Sequence, residues 1–231
     1  MKIGLVGAMK CELSGIEEYL ENRECKTVNR FEFVSGRIAS CEIISVYCGI
    51  GFVNTALATQ ILINHFSVDC VINPGVAGGL SEELAISDVV VSKDCTYWDF
   101  NPKQLRANFP FLHDDYFPAD AFLHEKCLSE CKDAIAPNKL ILGRVVSGQQ
   151  FVSDKETKRN LRENLNADCV EMEGAAIAHT CYLTDTPYIL IRSISDTIRD
   201  NEEQSSIAFN EFLPVACFQL TKVLYRLICT L

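Results

Sequence analysis

Ile3-Gly4-Leu5-Val6-Gly7-Ala8-Met9-Lys10-Cys11-Glu12 is a short apolar run that breaks at glycine and then meets charge. A run of this length, punctuated by glycine, reads as a strand buried on both faces, here Ile3 to Ala8, and residues 10–21 follow with helical spacing. The same alternation continues down the chain. A strand pair is expected at 29–35 and 40–47, and the Gly49-Ile50-Gly51 turn leads into an amphipathic helix over 52–65. Val68 to Asn73 reads as a strand, the small residues Pro74 to Gly79 as a turn, and Asp88 to Ser92 as a β-branched strand. Helices near 121–133, 155–164 and 173–183 then alternate with strands at 140–146, 168–171 and 187–194, before a long helix over about 204–229. Short apolar runs alternating with longer helical ones predict a layered α/β domain. No composition shift divides it, so residues 1–231 read as one domain. Residues 95–120 break the rhythm with Trp98, several prolines and a cluster of aromatics, and a loop this long is expected to line or cover a site.

The 231 residues suffice to bury roughly 70–75% of the unfolded chain's surface without staples. Lys plus Arg number 21 against 31 Asp plus Glu, a formal charge of −10, and a field of that sign repels nucleic acid and anionic membrane. No partner of either kind is expected. The 12 cysteines lie scattered from Cys11 to Cys229 with no CxxC. Cys127 and Cys131 share a helix face, but no histidine stands near them at zinc spacing, so no metal is expected. Cys48, Cys70 and Cys217 sit in apolar runs as small hydrophobes, which suits a reducing cytoplasm. The N-terminal apolar run is too short for a secretory core, and no run approaches the roughly 20 residues of a membrane helix.

A strand followed by glycine invites a dinucleotide-binding reading, which fails: Gly4, Gly7 and Gly15 do not make GxGxxG, and GxxxxGK[ST] is absent. What remains beyond the first strand is Glu12, one turn into a helix. It is matched by Glu171 and Glu173 at the junction of a short strand and an apolar helix, where an extended backbone would put both on one side and Met172 on the other. The next strand carries Arg192, a charge in an apolar run that needs a carboxylate partner if buried, followed by Ser195 and Asp196. Each has a plain alternative: Glu12 as a solvated first-turn acid, the glutamates as salt-bridge partners, Asp196 as a helix N-cap. Together with glycine turns at 49–51 and 75–79, which let a ligand approach the backbone, these acids form one constellation at strand ends.

Seven segments, Gly7-Ala8-Met9-x-x-Glu12, Ser45-x-x-x-Gly49-Ile50-Gly51, Asn73-x-Gly75-x-Ala77-Gly78-Gly79-Leu80, Val146-Ser147-Gly148, Phe151-Val152, Val170-Glu171-Met172-Glu173 and Arg192-x-Ile194-Ser195-Asp196, occur in one order. In that order the sequence resembles the methylthioadenosine/S-adenosylhomocysteine nucleosidases of the nucleoside phosphorylase-like superfamily. The resemblance implies a three-layer sandwich around a mixed central sheet. It also implies hydrolysis of the N-glycosidic bond of an adenine nucleoside through a ribosyl oxocarbenium-like transition state, with no cofactor. Such chemistry needs carboxylates around the sugar, a base for water and a proton for N7 of the departing purine. Carried over by position, Glu12 deprotonates the water with Arg192 helping to fix it, Glu173 holds the ribose hydroxyls and Met172 packs on the sugar. Asp196, oriented by Ser195, protonates N7, a role that calls for burial beside the purine. Phe151 stacks on adenine and the main chain at Val152 pairs with its edge, near Gly78, while Phe209 closes the pocket. Met9 and Ile50 line the 5′ end, completed by the 95–120 loop of a second subunit, so that a homodimer is implied.

The match departs at Val76 and Pro74, where family members usually carry small polar residues. Losing one such hydrogen bond costs about 1–3 kcal/mol in the transition state, or about 5–150-fold in rate. Gln149 replaces a common acid, and Trp98-Asp99-Phe100 departs from the usual run, which leaves the 5′ preference open. Ser195-Asp196-Thr197-Ile198-Arg199 also looks similar to bacterial purine nucleoside phosphorylases. A phosphorylase needs arginines converging on phosphate, which the Lys10–Glu12 and Asn73–Gly78 segments lack. A nucleoside-binding protein without catalysis would not need both an acid and a base, and a Rossmann oxidoreductase lacks its fingerprint.

Overall fold

The computed structural model describes residues 1–108 and 112–231. In chain order its elements are β1 (Lys2–Gly7), α1 (Lys10–Glu17), β2 (Glu21–Val28), β3 (Phe31–Ile38), β4 (Cys41–Tyr47), α2 (Phe52–Phe66), β5 (Cys70–Gly79), β6 (Val89–Tyr97) and α3 (Pro102–Asn108). There follow β7 (Phe117–Pro118), α4 (Ala121–Cys131), β8 (Leu140–Ser147), α5 (Lys155–Leu165), β9 (Cys169–Glu171), α6 (Gly174–Leu183), β10 (Tyr188–Asp196) and α7 (Glu202–Ile228). The strands among the described residues form one mixed sheet in the order β10-β6-β8-β9-β5-β1-β4-β3-β2, with β7 on β6. Strand β5 also pairs with β10, in parallel from Val71↔Tyr188 to Gly78↔Asp196, so β10, β6, β8, β9 and β5 close into a ring.

Side-chain alternation along β1 shows how the layers are made. Ile3 and Leu5 join Leu13 and Ile16 of α1 and Leu220, Val223, Leu224 and Leu227 of α7 in one core. Val6 points the other way, into a second core with Ala58 and Leu62 of α2 and Ala175, Ile177 and Ala178 of α6. A sheet whose strands are apolar on both faces needs helices on both, which gives the three layers. Cys48, Cys70, Cys127, Cys131 and Cys217 are all buried. Helix α7, at 27 residues, is long and apolar enough by length and composition to cross a membrane, which the sequence reading did not anticipate. Its C-terminal half packs Leu220, Val223, Leu224, Leu227 and Ile228 into the core, while Ile207, Val215 and Phe218 stay exposed.

Three boundaries differ from expectation. The helix expected over 10–21 ends at Glu17, because Glu21–Val28 forms edge strand β2, antiparallel to β3. Its residues are exposed through Thr27, so charge replaces the alternation that marks a half-buried strand, as suits an edge that must not pair further. The expected turn at Pro74–Gly79 is the second half of β5. Its small residues are needed because side chains cross the backbone there, and Pro74 lies just past Ile72, where pairing to β1 has ended. The 95–120 loop contains the end of β6, α3 and β7, while its residues 109–111 lie outside the described residues.

Candidate active site

The carboxyl ends of β1, β4, β5, β8, β9 and β10 converge on a cavity of about 420 Å³. Crevices at such strand ends are where α/β sheets bind ligands. Its lining includes Met9, Glu12, Ile50, Val76, Gly78, Phe151, Met172, Glu173, Ser195 and Phe209, together with Ala8, Ala77, Val170, Glu171, Ser206 and Asn210. All of these named before Ala8 except Val76 carry a site role expected from the sequence, and they are thus brought together. Ser206 and Asn210 were missed, since nothing in their pattern separates them from the polar face of a long helix.

Glu12 stands in the first turn of α1 and is 4% exposed. Its Oε2 accepts the Met9 N–H at 2.8 Å and its Oε1 the Val76 N–H at 3.3 Å. Burial pushes its carboxyl pKa up, opposed by the bond from Met9, the charge of Arg192 and the bond from Val76. Glu173 enters from the start of α6, and its Oε1 accepts the N–H of Gly51 at 2.9 Å. Burial first, and then the negative charge of Glu171, pushes its pKa up to about 8. Gly49 and Gly51 have φ of 84° and 100°, which glycine adopts without strain, and this bends the turn so that the Gly51 N–H reaches Glu173. Both carboxyls therefore hold protons more readily than free glutamates do, the property required of a base that works near neutral pH.

Glu171 and Glu173 both line the cavity, but not as neighbours along one extended strand, because β9 ends at Glu171. Glu171 turns back to accept the N–H groups of Glu173 at 3.0 Å and Gly174 at 2.8 Å, the Ser147 hydroxyl and, at 2.8 Å, Arg192 Nη2. Arg192 has its expected carboxylate partner, and neither it nor Asp196 is among the residues that line the cavity directly. It is 1% exposed and lies behind the cavity, its guanidinium donating to Asn73 O at 2.7 Å, to Asn73 Oδ1 and to Glu171. It nevertheless comes close to Glu12 across the glycine at position 75, where a Cβ would lie 3.0 Å from Arg192 Nη1 and 3.1 Å from Glu12 Oε1. Its influence on the cavity is the positive field behind Glu12, Glu171 and Glu173.

Asp196 ends β10 and is 1% exposed, while the N-cap of α7 is Asn201. Ser195 Oγ donates to its Oδ1 at 3.0 Å. A Cβ on the cavity-lining Gly78 would come within 3.3 Å of Asp196 Oδ2, so glycine keeps the carboxyl close to the cavity wall. Its other oxygen partner was missed entirely: Lys158, 0% exposed, donates to Oδ2 at 2.7 Å. The helix expected near 155–164 is rich in charge, yet 158 lies three residues before Leu161 and seven before Leu165, on the stripe that α5 turns inward. Position, and not residue type, carried that signal.

Phe151 and Phe209 meet edge to face over the cavity, ring centroids 5.7 Å apart and planes at 75°. The Val152 side chain is turned away into a small core with Leu80, Val146, Leu161 and Val170. Gly148 packs against the Trp98 ring, which a Cβ would overlap.

The sequence profile of the phosphorylase superfamily matches residues 2–228. Among solved structures, the 5′-methylthioadenosine/S-adenosylhomocysteine nucleosidase of Neisseria meningitidis, bound to methylthio-immucillin-A, is 32% identical with a TM-score of 0.91, over 100% of this chain and 99% of that one. The corresponding nucleosidase of Colwellia psychrerythraea 34H, bound to adenine, is 31% identical with a TM-score of 0.90, over 99% and 94%. A futalosine hydrolase mutant of Helicobacter pylori strain 26695 is 30% identical with a TM-score of 0.89, over the full length of both chains. Profile, identity and full-length superposition agree: the chain belongs to the phosphorylase superfamily and, within it, to the family of the 5′-methylthioadenosine/S-adenosylhomocysteine nucleosidases.

Proposed function

We propose that this protein hydrolyses the N-glycosidic bond of 5′-methylthioadenosine and S-adenosylhomocysteine, and of 5′-deoxyadenosine, to adenine and the corresponding ribose. The observation that carries the reading is the meeting in one apolar cavity of two carboxyls with raised proton affinity, Glu12 and Glu173, with Asp196 directly behind the lining residue Gly78. Glu12 takes the proton of the attacking water. The hydrogen bonds from Met9 and Val76 fix its carboxyl, leaving lone pairs for the water. Glu173 hydrogen-bonds the ribose hydroxyls, while Glu12 faces the positive charge that develops on the sugar. Met172 packs on the ribose, Phe151 stacks on the base beside Gly78 and the Val152 main chain, and Phe209 covers it. Asp196, held by Ser195, delivers the proton to N7 as the C1′–N9 electron pair enters the purine.

Water is the acceptor in this reading, and the wall of the cavity supports it. Among the described lining residues there is no lysine or arginine to bind a phosphate dianion, whereas the Glu12 carboxyl faces the cavity. Kinetics with methylthioadenosine test the assignment. Glu12→Gln and Asp196→Asn are each expected to lower kcat by about 10²–10⁴-fold with little change in KM. Near-normal turnover in either variant ends that residue's role.

The active unit is proposed to be a homodimer of single-domain chains spanning residues 1–231. Support comes from Val53 at 79% exposure and the exposed Leu183, which line one shallow surface cavity, and from the exposed Ile50 at the rim of the active-site cavity, apolar groups that suit cover by a second copy. The 95–120 loop of that copy would complete the neighbouring site. Twelve free cysteines suit a reducing cytoplasm.

A further inference from the structure

We infer that Lys158 is the positioning residue for leaving-group protonation, holding Asp196 in place and resupplying it with the proton that Asp196 hands to the purine. The inference rests on the reading of Asp196 as the acid that meets N7. Lys158 leaves α5 and is fully buried, and its Nζ has an acceptor for each of its three protons: Asp196 Oδ2 at 2.7 Å, Thr197 O at 2.9 Å and Ser205 Oγ at 2.8 Å. One of those acceptors is charged, one is a carbonyl and one is a hydroxyl. An ammonium and a carboxylate in contact differ from an amine and a carboxylic acid by the position of a single proton, so its passage across this hydrogen bond makes Asp196 a neutral acid.

The surroundings suit both forms. Ser205 accepts from the ammonium, and its own proton is directed to Ser153 O at a long 3.4 Å. By rotating, the same hydroxyl can donate to the lone pair of a neutral amine, so Nζ need not be left unpaired after losing its proton. Ser205 lies in the first turns of α7, next to the cavity-lining Ser206 and one turn before Phe209. Lys158 thus ties the acid to the helix that covers the nucleoside. An arginine has no such second state, because it does not give up its proton in proteins.

The protons balance. The Nζ–H bond breaks and an O–H bond forms on Asp196. Asp196 gives a proton to N7 while the C1′–N9 electron pair enters the purine, water oxygen bonds to C1′, and Glu12 takes the water's proton. When products leave, Glu12 releases its proton and Nζ regains one from solvent, so that one water is consumed per bond.

The test compares two substrates that differ in what the leaving group needs. Adenine must be protonated as it departs from methylthioadenosine, whereas 4-nitrophenolate departs unaided from 4-nitrophenyl 5-methylthio-β-D-riboside. In Lys158→Met and Lys158→Arg the kcat for methylthioadenosine is expected to fall at least about 100-fold, with the nitrophenyl riboside kept within about threefold of wild type. The ratio of the two rates is independent of the fraction folded, so a poorly stable variant still reports. Equal losses on both substrates, or Lys158→Arg turning over methylthioadenosine like wild type, would overturn the inference and leave Lys158 a structural ion pair. A wild-type protein that cleaves neither substrate overturns the nucleosidase reading itself.

Discussion

Replacing Arg192 by methionine removes the guanidinium behind the cavity while keeping much of its volume. The side chain is 1% exposed and donates to Asn73 O at 2.7 Å, Asn73 Oδ1 and Glu171 Oε2 at 2.8 Å. Breaking one side of a buried ion pair costs about 3–5 kcal/mol, because the remaining charge is left uncompensated. Glu171 keeps the N–H groups of Glu173 and Gly174 and the Ser147 hydroxyl, which places the loss near the lower end, about 3 kcal/mol. With a urea m-value of about 3 kcal/mol/M for a chain of this size, the midpoint should fall by about 1 M. Equilibrium urea unfolding at one fixed protein concentration measures it, since association would shift the midpoint. Adding Glu171→Gln to Arg192→Met removes the stranded charge and should recover at least about 1 kcal/mol. A loss below about 1 kcal/mol, or a double variant as unstable as the sum of the singles, would refute the view that Arg192 anchors the site through Glu171.

Glu173 predicts a pH dependence with a definite sign. Its pKa rises from an ordinary glutamate value of about 4.3 to about 8 on folding, so the folded protein holds a proton that the unfolded chain releases. That stabilisation is complete below about pH 4 and is lost as pH rises through about 8. Urea midpoints of wild type relative to Glu173→Gln should therefore decline between pH 5 and 8, and a flat difference contradicts the assignment. At Val76, a serine should restore a hydroxyl to the wall beside Glu12 and raise kcat/KM for methylthioadenosine by about 5-fold or more. An unchanged or lower value shows that the methyl-lined wall is already adapted to its water.

How much of this was legible in the sequence depended on whether apolar pattern or contact carried the information. Ile3–Val6 and Tyr188–Ile194 declared themselves as buried strands because both of their faces are apolar. Glu21–Val28 did not, since an exposed edge strand replaces that pattern with charge. Pro74–Gly79 misled for the opposite reason: small residues that permit turns also permit Arg192 and Asp196 to cross the backbone closely. The order of motifs brought Glu12, Glu173, Met172, Phe151 and Phe209 to one cavity. That Arg192 would be buried against a carboxylate was legible from a charge in an apolar run, but its partner Glu171 and its approach to Glu12 across Gly75 were not. Lys158 stayed hidden because a charged residue on a highly charged helix reads as solvated until its place on the stripe of Leu161 and Leu165 is counted.

The central claim, hydrolysis with Glu12 activating water, is met most directly by chromatography of methylthioadenosine incubated with the purified protein in phosphate-free buffer and again with added phosphate. Adenine and free methylthioribose are expected in both, at equal rates. Adenine formed only with phosphate, accompanied by a sugar phosphate, or no adenine in either, would contradict that claim.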